Sequence, residues 1–422
     1  MSTEKLNELL NKEWYKFTKN IKNNNHTNYN WLLNKPTPHY FNNYYRLGSY
    51  YKNNIHRIII ILSKLLSNPL WKVLIWPHII KNTLQLIEKD YFKTLNWNND
   101  PELKKTKITF MTKLKKLVKT HPTEIANAPI SDFLNIIGYS LTTYFKHIKG
   151  HTDIYYDHKK EQNKQCSLLY DQLKTDIAKR KDKLTLLFFL ATRANWIDSF
   201  ENEAETFLKG FPLEINEIMA SNDLASFIEP LLGIFHTRSI NTILNKGPQK
   251  IIYELDNSGE IYFDLLLVEE LLQNGHAITL VAKKNPCLND ITLTELKAIM
   301  NSELLNWSIP YRNLNVLKLI HNGSSMPGKT ISTISEDYQS EYQKADLIIL
   351  KGQGNFQTMP IGYQKQKRFH PYSYKKPILI MMGIKSKLIH FSLQQIFRKK
   401  CPRFQSLFIY FFDPNNPKTY PK

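Results

Sequence analysis

Ile251-Ile-Tyr-Glu-Leu-Asp-Asn-Ser-Gly-Glu-Ile-Tyr-Phe-Asp264 changes structural period in mid-course. The apolar run 251–255 stops at Asp256, as a strand buried on both faces does. From 259 to 273 the spacing is helical, and Asn274-Gly275 closes it, since glycine accepts the left-handed conformation that ends helices. Residues 277–282 predict a second strand, followed by Asn285-Pro286 and a helix near 294–304. Three more strands are predicted at 316–320, 347–350 and 378–382, with a helix over 331–345 between the first two. Strands alternating with helices imply an α/β fold: an open, mostly parallel sheet with helices on both faces.

Working outward, residues 1–245 read as mainly helical and irregular, with helix-like groupings at 184–190 and 207–219 and an aperiodic loop at 20–25. Gly247-Pro248 marks the boundary. The expected division is a helical N-terminal domain (1–245), an α/β domain (246–400) and a C-terminal tail (401–422). A chain of 422 residues that is 42% hydrophobic has material for two cores. The most apolar stretch, 58–80, is broken by Lys64, Asn68-Pro69, Lys72 and Pro77, so it reads as buried helix and no membrane span is expected. Residues 1–22 are too polar for a secretory leader. Cys166, Cys287 and Cys401 are odd in number and fit neither disulfide nor metal spacing, which points to a reducing, cytoplasmic setting.

The net charge of +20 favours anionic partners. Lys104, Lys105, Lys107, Lys113, Lys115, Lys116 and Lys119 alternate with Ile108, Phe110, Leu114, Leu117 and Val118 at helical spacing. That pattern is the solvated face of an amphipathic helix, so the charge does not call for nucleic acid. Oligomeric state is left open.

Ligands of open parallel sheets bind beyond the carboxyl ends of the strands. Those ends deliver Asp256, Asn257, Ser258, Gly259 and Glu260; then Asn289 and Asp290; then Asn322, Gly323, Ser324 and Ser325; then Lys351, Gly352, Gln353, Gly354 and Asn355; and last Lys385. Two carboxylates and an amide oxygen are hard ligands suited to Mg²⁺ or Mn²⁺. Lysines, a serine and glycine-rich amides suit a phosphate group. A second pattern overlaps the first: Gly323-Ser-Ser-Met-Pro-Gly-Lys-Thr330 matches the P-loop of NTPases. Pro327 weighs against it, because proline has no N–H to offer a phosphate. Glu260 and Asp264 have two readings, favourable charges at a helix N-terminus or catalytic groups. His276 and His390 read as structural.

These segments resemble the damage-control phosphatase family. Leu255-Asp-Asn-Ser-Gly-Glu-Ile-Tyr-Phe-Asp264 is similar to its Asp-Asn-Ala-Gly-Glu-(apolar)₃-Asp signature, and Leu288-Asn-Asp-Ile-Thr292 to its second metal motif. Asn322-Gly-Ser-Ser-Met-Pro-Gly328 resembles a Gly-Ser-x-x-Pro-Gly loop. Ala345-Asp-Leu-Ile-Ile-Leu-Lys-Gly-Gln-Gly-Asn-Phe356 resembles the Lys-Gly-Gln-(Gly/Ala)-Asn segment, and Ala194-Asn-Trp-Ile-Asp198 a Gly-Asn-x-x-Asp element. The resemblance implies a helical domain packed on a Rossmann-like domain, and hydrolysis of small phosphorylated metabolites supported by Mn²⁺, Co²⁺ or Ni²⁺. It implies that Asp256, Asn257 and Asp290 hold the metal. Lys351 would bind substrate phosphate with Ser324 and Lys385 nearby, the Gly352 to Asn355 amides would hold further oxygens, and Asn195 would line the substrate side. Whether water or Asp256 is the nucleophile stays open. The chain departs from the pattern at Ala194, in lacking the arginine of an Arg-Thr-x-Lys segment (Met382-Gly-Ile-Lys385 here), and in lacking an N-terminal Cys-x-x-Cys. Two other readings are therefore carried: an inactive metal-binding relative that acts as a binding protein, and a methyltransferase, which the absence of a glycine-rich loop after the first strand disfavours.

Overall fold

The computed structural model describes residues 101–120, 155–198, 202–221, 232–235, 244–329, 334–358, 376–385 and 401–416, with isolated positions elsewhere. The stretches 20–25 and 58–80 lie outside the described residues. Helices α1 (Pro101–Thr120), α2 (Tyr156–Ile177), α3 (Lys183–Arg193) and α4 (Asn202–Ala220) precede strand β1 (Leu232–Phe235). There follow β2 (Lys250–Glu254), α5 (Ile261–Gln273), β3 (Ala277–Ala282), α6 (Leu293–Met300), α7 (Ser308–Asn313) and β4 (Leu317–His321). The remaining elements are α8 (Glu336–Lys344), β5 (Leu347–Lys351), α9 (Gly352–Gln357), β6 (Ile378–Gly383) and β7 (Leu407–Phe412).

The strands form a seven-stranded sheet ordered β1-β7-β6-β5-β2-β3-β4. From β6 to β4 every pairing is parallel, as the alternating pattern predicts. The chain leaves β2 for β3 and β4 on one side, then crosses to β5 on the other, so the switch point lies between β2 and β5. Register levels the edge: Glu254 pairs with Val281 of β3 and Leu350 of β5. Asp256, Lys283 and Gly352 thus emerge side by side.

Local chemistry sets the helix ends. Gly275 at φ +84°, with Gly275 N–H donating to Leu272 O and His276 N–H to Leu271 O, is the predicted C-terminal cap of α5. Thr292 and Glu295 cap α6 reciprocally. On α1, Phe110, Met111 and Leu114 are buried while Lys104, Lys105, Lys115 and Lys116 face water, as an amphipathic helix requires. Ile108 departs from that pattern and is 58% exposed.

The sheet extends across both boundaries expected from the sequence. Residues 407–412, assigned to a tail, form β7, a wholly buried strand antiparallel to β6. β1 lies upstream of Gly247-Pro248 yet pairs with β7 in the same sheet. The core also ignores the boundary, since Leu186 to Ala191 of α3 share a buried cluster with Ile251, Tyr253 and Leu255 and with α5. Full burial of a Leu or Phe side chain is worth about 1.5–3 kcal/mol, so α3 is bound to the sheet as core and not as a docked neighbour. No described helix is long and apolar enough to cross a membrane. Cys166, Cys287 and Cys401 form no disulfide among the described residues.

His276 opens β3 with its Nδ1 accepting the Gln249 N–H at 3.1 Å, which needs a neutral ring. Burial lowers its pKa from the usual 6.5. A histidine depressed in the folded state stabilises above its unfolded pKa and loses that contribution as pH falls toward the folded value. The thermal unfolding midpoint should therefore drop from pH 7 to pH 5. His276→Gln, which keeps an acceptor but does not titrate, should flatten the drop when melting curves are compared.

Candidate active site

Two loops beyond β2 and β3 are joined through their backbones. Ser258 N–H donates to Asn289 O at 2.9 Å, Ile291 N–H to Asp256 O at 2.9 Å, and Asn257 and Asp290 form an antiparallel bridge. Asp256, Asn257 and Asp290, the three predicted metal ligands, are thereby brought together, each buried.

Asp256 is oriented from three directions. Asn195, on the 3₁₀ turn Ala194–Asp198 after α3, donates its Nδ2–H to Asp256 Oδ2 at 2.9 Å and to Glu260 Oε2 at 3.0 Å. Its Oδ1 accepts the Gly383 N–H at the end of β6. Asn257 Nδ2 adds a bond to Asp256 Oδ2 at 3.0 Å. The carboxylate lies over Gly352, where a Cβ would sit 1.6 Å from Asp256 Oδ2, and the φ of +77° there also selects glycine. Glu260 does not cap α5; its Oε1 accepts the Asn257 N–H at 2.8 Å. Its carboxylate faces the Asn195 and Asn257 groups at the sheet edge.

Lys351 lies beneath this layer, fully buried. Its ammonium donates to Asp264 Oδ1 at 2.6 Å and to Ala191 O at 2.7 Å, with Glu260 Oε2 at 3.7 Å. Burial pulls its pKa down, but Asp264, Glu260 and Asp256 outweigh that and hold it above the ordinary value. Burial pushes the Asp264 carboxyl up to about 7, with Glu260 adding and Lys351 and Tyr253 opposing. The Tyr253 hydroxyl donates to the same Oδ1 at 2.7 Å.

The other strand ends divide into site and support. Lys283 Nζ lies 3.3 Å from Asp290 Oδ2 and 3.2 Å from Asn355 Oδ1. Asn355 Nδ2 donates to Leu255 O and Lys351 O, tying β2 to β5. The Ser324 hydroxyl closes its own turn, donating to Met326 O and accepting the Met326 N–H at 3.2 Å. Lys385 follows β6 at the same edge and is half-buried. Lys329, which an NTPase would need at a phosphate, is buried on the opposite face and donates to Glu254 Oε2 at 2.6 Å. Burial lowers its pKa, opposed by Glu254. That placement turns Lys329 away from the strand-end groups and weighs against a P-loop role for residues 323–329.

Sequence reasoning missed Lys283 and Glu254. The strand-end rule that selected Lys351 also finds Lys283, the residue directly after β3. Glu254 gave no signal, because it sits inside an apolar run whose burial only the sheet reveals.

The donor set fits a hard divalent ion. Asp256, Glu260, Asp264 and Asp290, against Lys351 and Lys283, leave two negative charges in a buried space when all are ionised. Ser258 Oγ and both side-chain polar atoms of Asn289, buried in the same pair of loops, have no hydrogen-bond partner among the described residues, which leaves polar capacity for water or ligand there. No group of three or more His, Cys, Asp or Glu side chains forms a ligand cluster among the described residues. Such an ion would therefore rely on the Asn257 amide oxygen and on water or substrate.

Comparison with known proteins places this geometry. The model of the damage-control phosphatase ARMT1-like domain matches residues 75–395. A Methanocaldococcus jannaschii protein is 28% identical over 221 residues, covering 51% of this chain and 64% of its own length. A damage-control phosphatase of Pyrococcus horikoshii is 31% identical over 188 residues, covering 44% and 56%. One from Arabidopsis thaliana is 26% identical over 220 residues, covering 49% and 56%. The matches thus span less than two thirds of each relative's length. The crystal structure of a DUF89 family protein from P. horikoshii superposes with a TM-score of 0.52 at 20% identity, covering 77% of this chain and 95% of that one, and so shares the fold. With a family match over most of its length, and with the motif residues gathered at one sheet edge, this chain belongs to the damage-control phosphatase ARMT1-like family.

Proposed function

We propose that this protein is a divalent-metal-dependent phosphatase that hydrolyses phosphate monoesters of small metabolites, sugar phosphates or related damaged metabolites among them. The observation that carries this is the Asp256 carboxylate held over Gly352 beside Asn257 and Asp290, with a buried ammonium beneath. The names of its P. horikoshii and A. thaliana relatives support the reaction class.

Asp256, Asn257 and Asp290 would hold Mn²⁺, Co²⁺, Ni²⁺ or Mg²⁺. Such an ion, when bound, supplies Lewis-acid stabilisation of the charge that develops on a phosphoryl oxygen. The protein's own groups do the rest. Asn195 donates to both Asp256 and Glu260, and Glu260 holds the loop through the Asn257 N–H. Lys351 contributes a fixed positive charge from below, because its three protons already face Asp264, Ala191 O and Glu260. Direct phosphate contacts then fall to the Gly352 to Asn355 amides and to Lys385, with Ser324 shaping the neighbouring loop. A water or the Asp256 carboxylate would attack phosphorus as the ester P–O bond breaks and the metabolite leaves as its alcohol, protonated from water; if Asp256 attacks, a water then hydrolyses the acyl phosphate to inorganic phosphate.

In a metal-stripped preparation given Mn²⁺, Co²⁺, Ni²⁺ or Mg²⁺ singly, release of phosphate from p-nitrophenyl phosphate and sugar phosphates should require the ion. Asp256→Ala, and the isosteric Asp256→Asn, should abolish that release while the far-UV spectrum stays native. Full turnover in either variant would sink the assignment, and metal uptake without turnover in the wild type would favour a binding protein.

Gly352→Ala tests the close approach. A methyl group there must displace Asp256, so kcat should fall about tenfold to a hundredfold, the range seen when groups orienting a metal ligand are lost. Unchanged kcat would show that the position of Asp256 over Gly352 has no bearing on catalysis.

A further inference from the structure

The buried face of α2 is polar at one end and apolar at the other. Its inward residues are Lys159, Gln162 and Cys166, then Tyr170, Leu173 and Ile177. Packing alone would be served by apolar residues throughout, since a buried amine or amide loses its hydration and must find partners. Gln162 and the adjacent Asn163 bond directly to backbone next to site residues, and Lys159 reaches a third such segment through Glu295.

Gln162 Nε2 donates to Ile197 O at 3.0 Å, two residues beyond Asn195. Asn163 Oδ1 accepts the Gly259 N–H at 2.7 Å, two residues beyond Asn257. Lys159 Nζ pairs with Asp153 at 2.7 Å and with Glu295 Oε2 at 3.3 Å. That same Oε2 accepts the Thr292 N–H at 2.8 Å, and Thr292 lies two residues beyond Asp290. About one turn of one helix therefore bonds two of these segments directly and the third through Glu295, each two residues past a site residue. Gly259 has no space to shift toward the helix, because a Cβ there would meet Gln162 Cβ at 3.2 Å and Ile197 at 3.3 Å.

We infer that Lys159, Gln162 and Asn163 are positioning residues that set the spacing of the Asn195, Asp256-Asn257 and Asp290 segments, so that α2 works as a gauge for the metal-binding geometry. The inference rests on the proposed metal-dependent activity for its catalytic consequence, though not for its structural one. A hydrogen bond to a loop backbone fixes that loop more narrowly than apolar contact does, because it specifies direction as well as distance.

The test uses the full chain with Gln162→Leu, Asn163→Ala and Asn163→Asp. Leucine fills the same buried volume, so Gln162→Leu should keep or raise the thermal midpoint while lowering Mn²⁺ affinity and kcat about tenfold, with little change in KM. A residue with a packing role alone would leave the midpoint, Mn²⁺ affinity and kcat all unaltered, because leucine fills its volume. Asn163→Ala should cause a similar loss, and Asn163→Asp, which still accepts from Gly259 N–H, should restore it. In the metal-free proteins, amide hydrogen exchange should accelerate at 194–198 in Gln162→Leu and at 256–260 in Asn163→Ala. Exchange that changes only within α2, or no rescue by aspartate, overturns the inference. If the wild type takes up no Mn²⁺, the phosphatase proposal fails by itself, and the exchange comparison still decides the role of α2.

Discussion

An ammonium removed from water must be met by charge and by hydrogen-bond acceptors, and Lys351 is met by three separate parts of the chain. Asp264 comes from α5, the carbonyl of Ala191 from α3, and Glu260 from the loop between β2 and α5. Breaking a buried ion pair by removing one partner typically costs about 3–5 kcal/mol. The lysine therefore holds the upstream helices, the central strand and the first α/β crossover in one arrangement. The same charge lies below Asp256, which links the stability of this layer to the electrostatics of the site above it.

Close backbone approach is the second constraint. Asp256 occupies the space that a side chain at position 352 would fill, and Gly328 leaves only 2.3 Å between a would-be Cβ and Gly354 O. These two glycine contacts let loops from β2, β4 and β5 nest at the sheet edge. Asn355 and Lys283 then tie the nest to the strand ends through bonds of 2.9–3.2 Å. The opposite face has its own buried pair, Lys329 with Glu254, joined by the Tyr338 hydroxyl. That pair fixes the residue 323–329 loop without exposing a cation to a ligand.

The region before residue 246 is part of the candidate site as well as of the core. α3 supplies buried apolar surface and the Ala191 carbonyl, the turn that follows supplies Asn195, and β1 extends the sheet beyond β7. A boundary drawn at Gly247-Pro248 follows a real change of pattern in the sequence but does not separate two folding units. β7 joins β6 antiparallel, and β1 then pairs parallel with β7 although most of the α/β repeat lies between them in the chain, so both edge strands come from outside the repeating pattern.

Alternation of apolar runs with helical spacing, punctuated by Asn274-Gly275, was enough by itself to determine the five parallel strands and the crossovers between them, because buried strands and capped helices are local chemistry. The strand-end rule was enough to select Asp256, Asn257, Asp290, Lys351 and Gly352, because parallel register puts such residues on one edge whatever the details of packing. What the side chains do there was decided only by tertiary structure. Lys351 and Lys329 look alike in sequence, each at the carboxyl end of a strand or its loop, yet burial turns both inward to carboxylates on opposite faces of the sheet. Glu260 and Asp264 fit a helix start equally well, and only the arrival of Asn195 and Lys351 from distant segments drew them into the site. Partner choice for a buried charge depends on which groups the fold brings within about 3 Å, and that distance is not written in the local sequence.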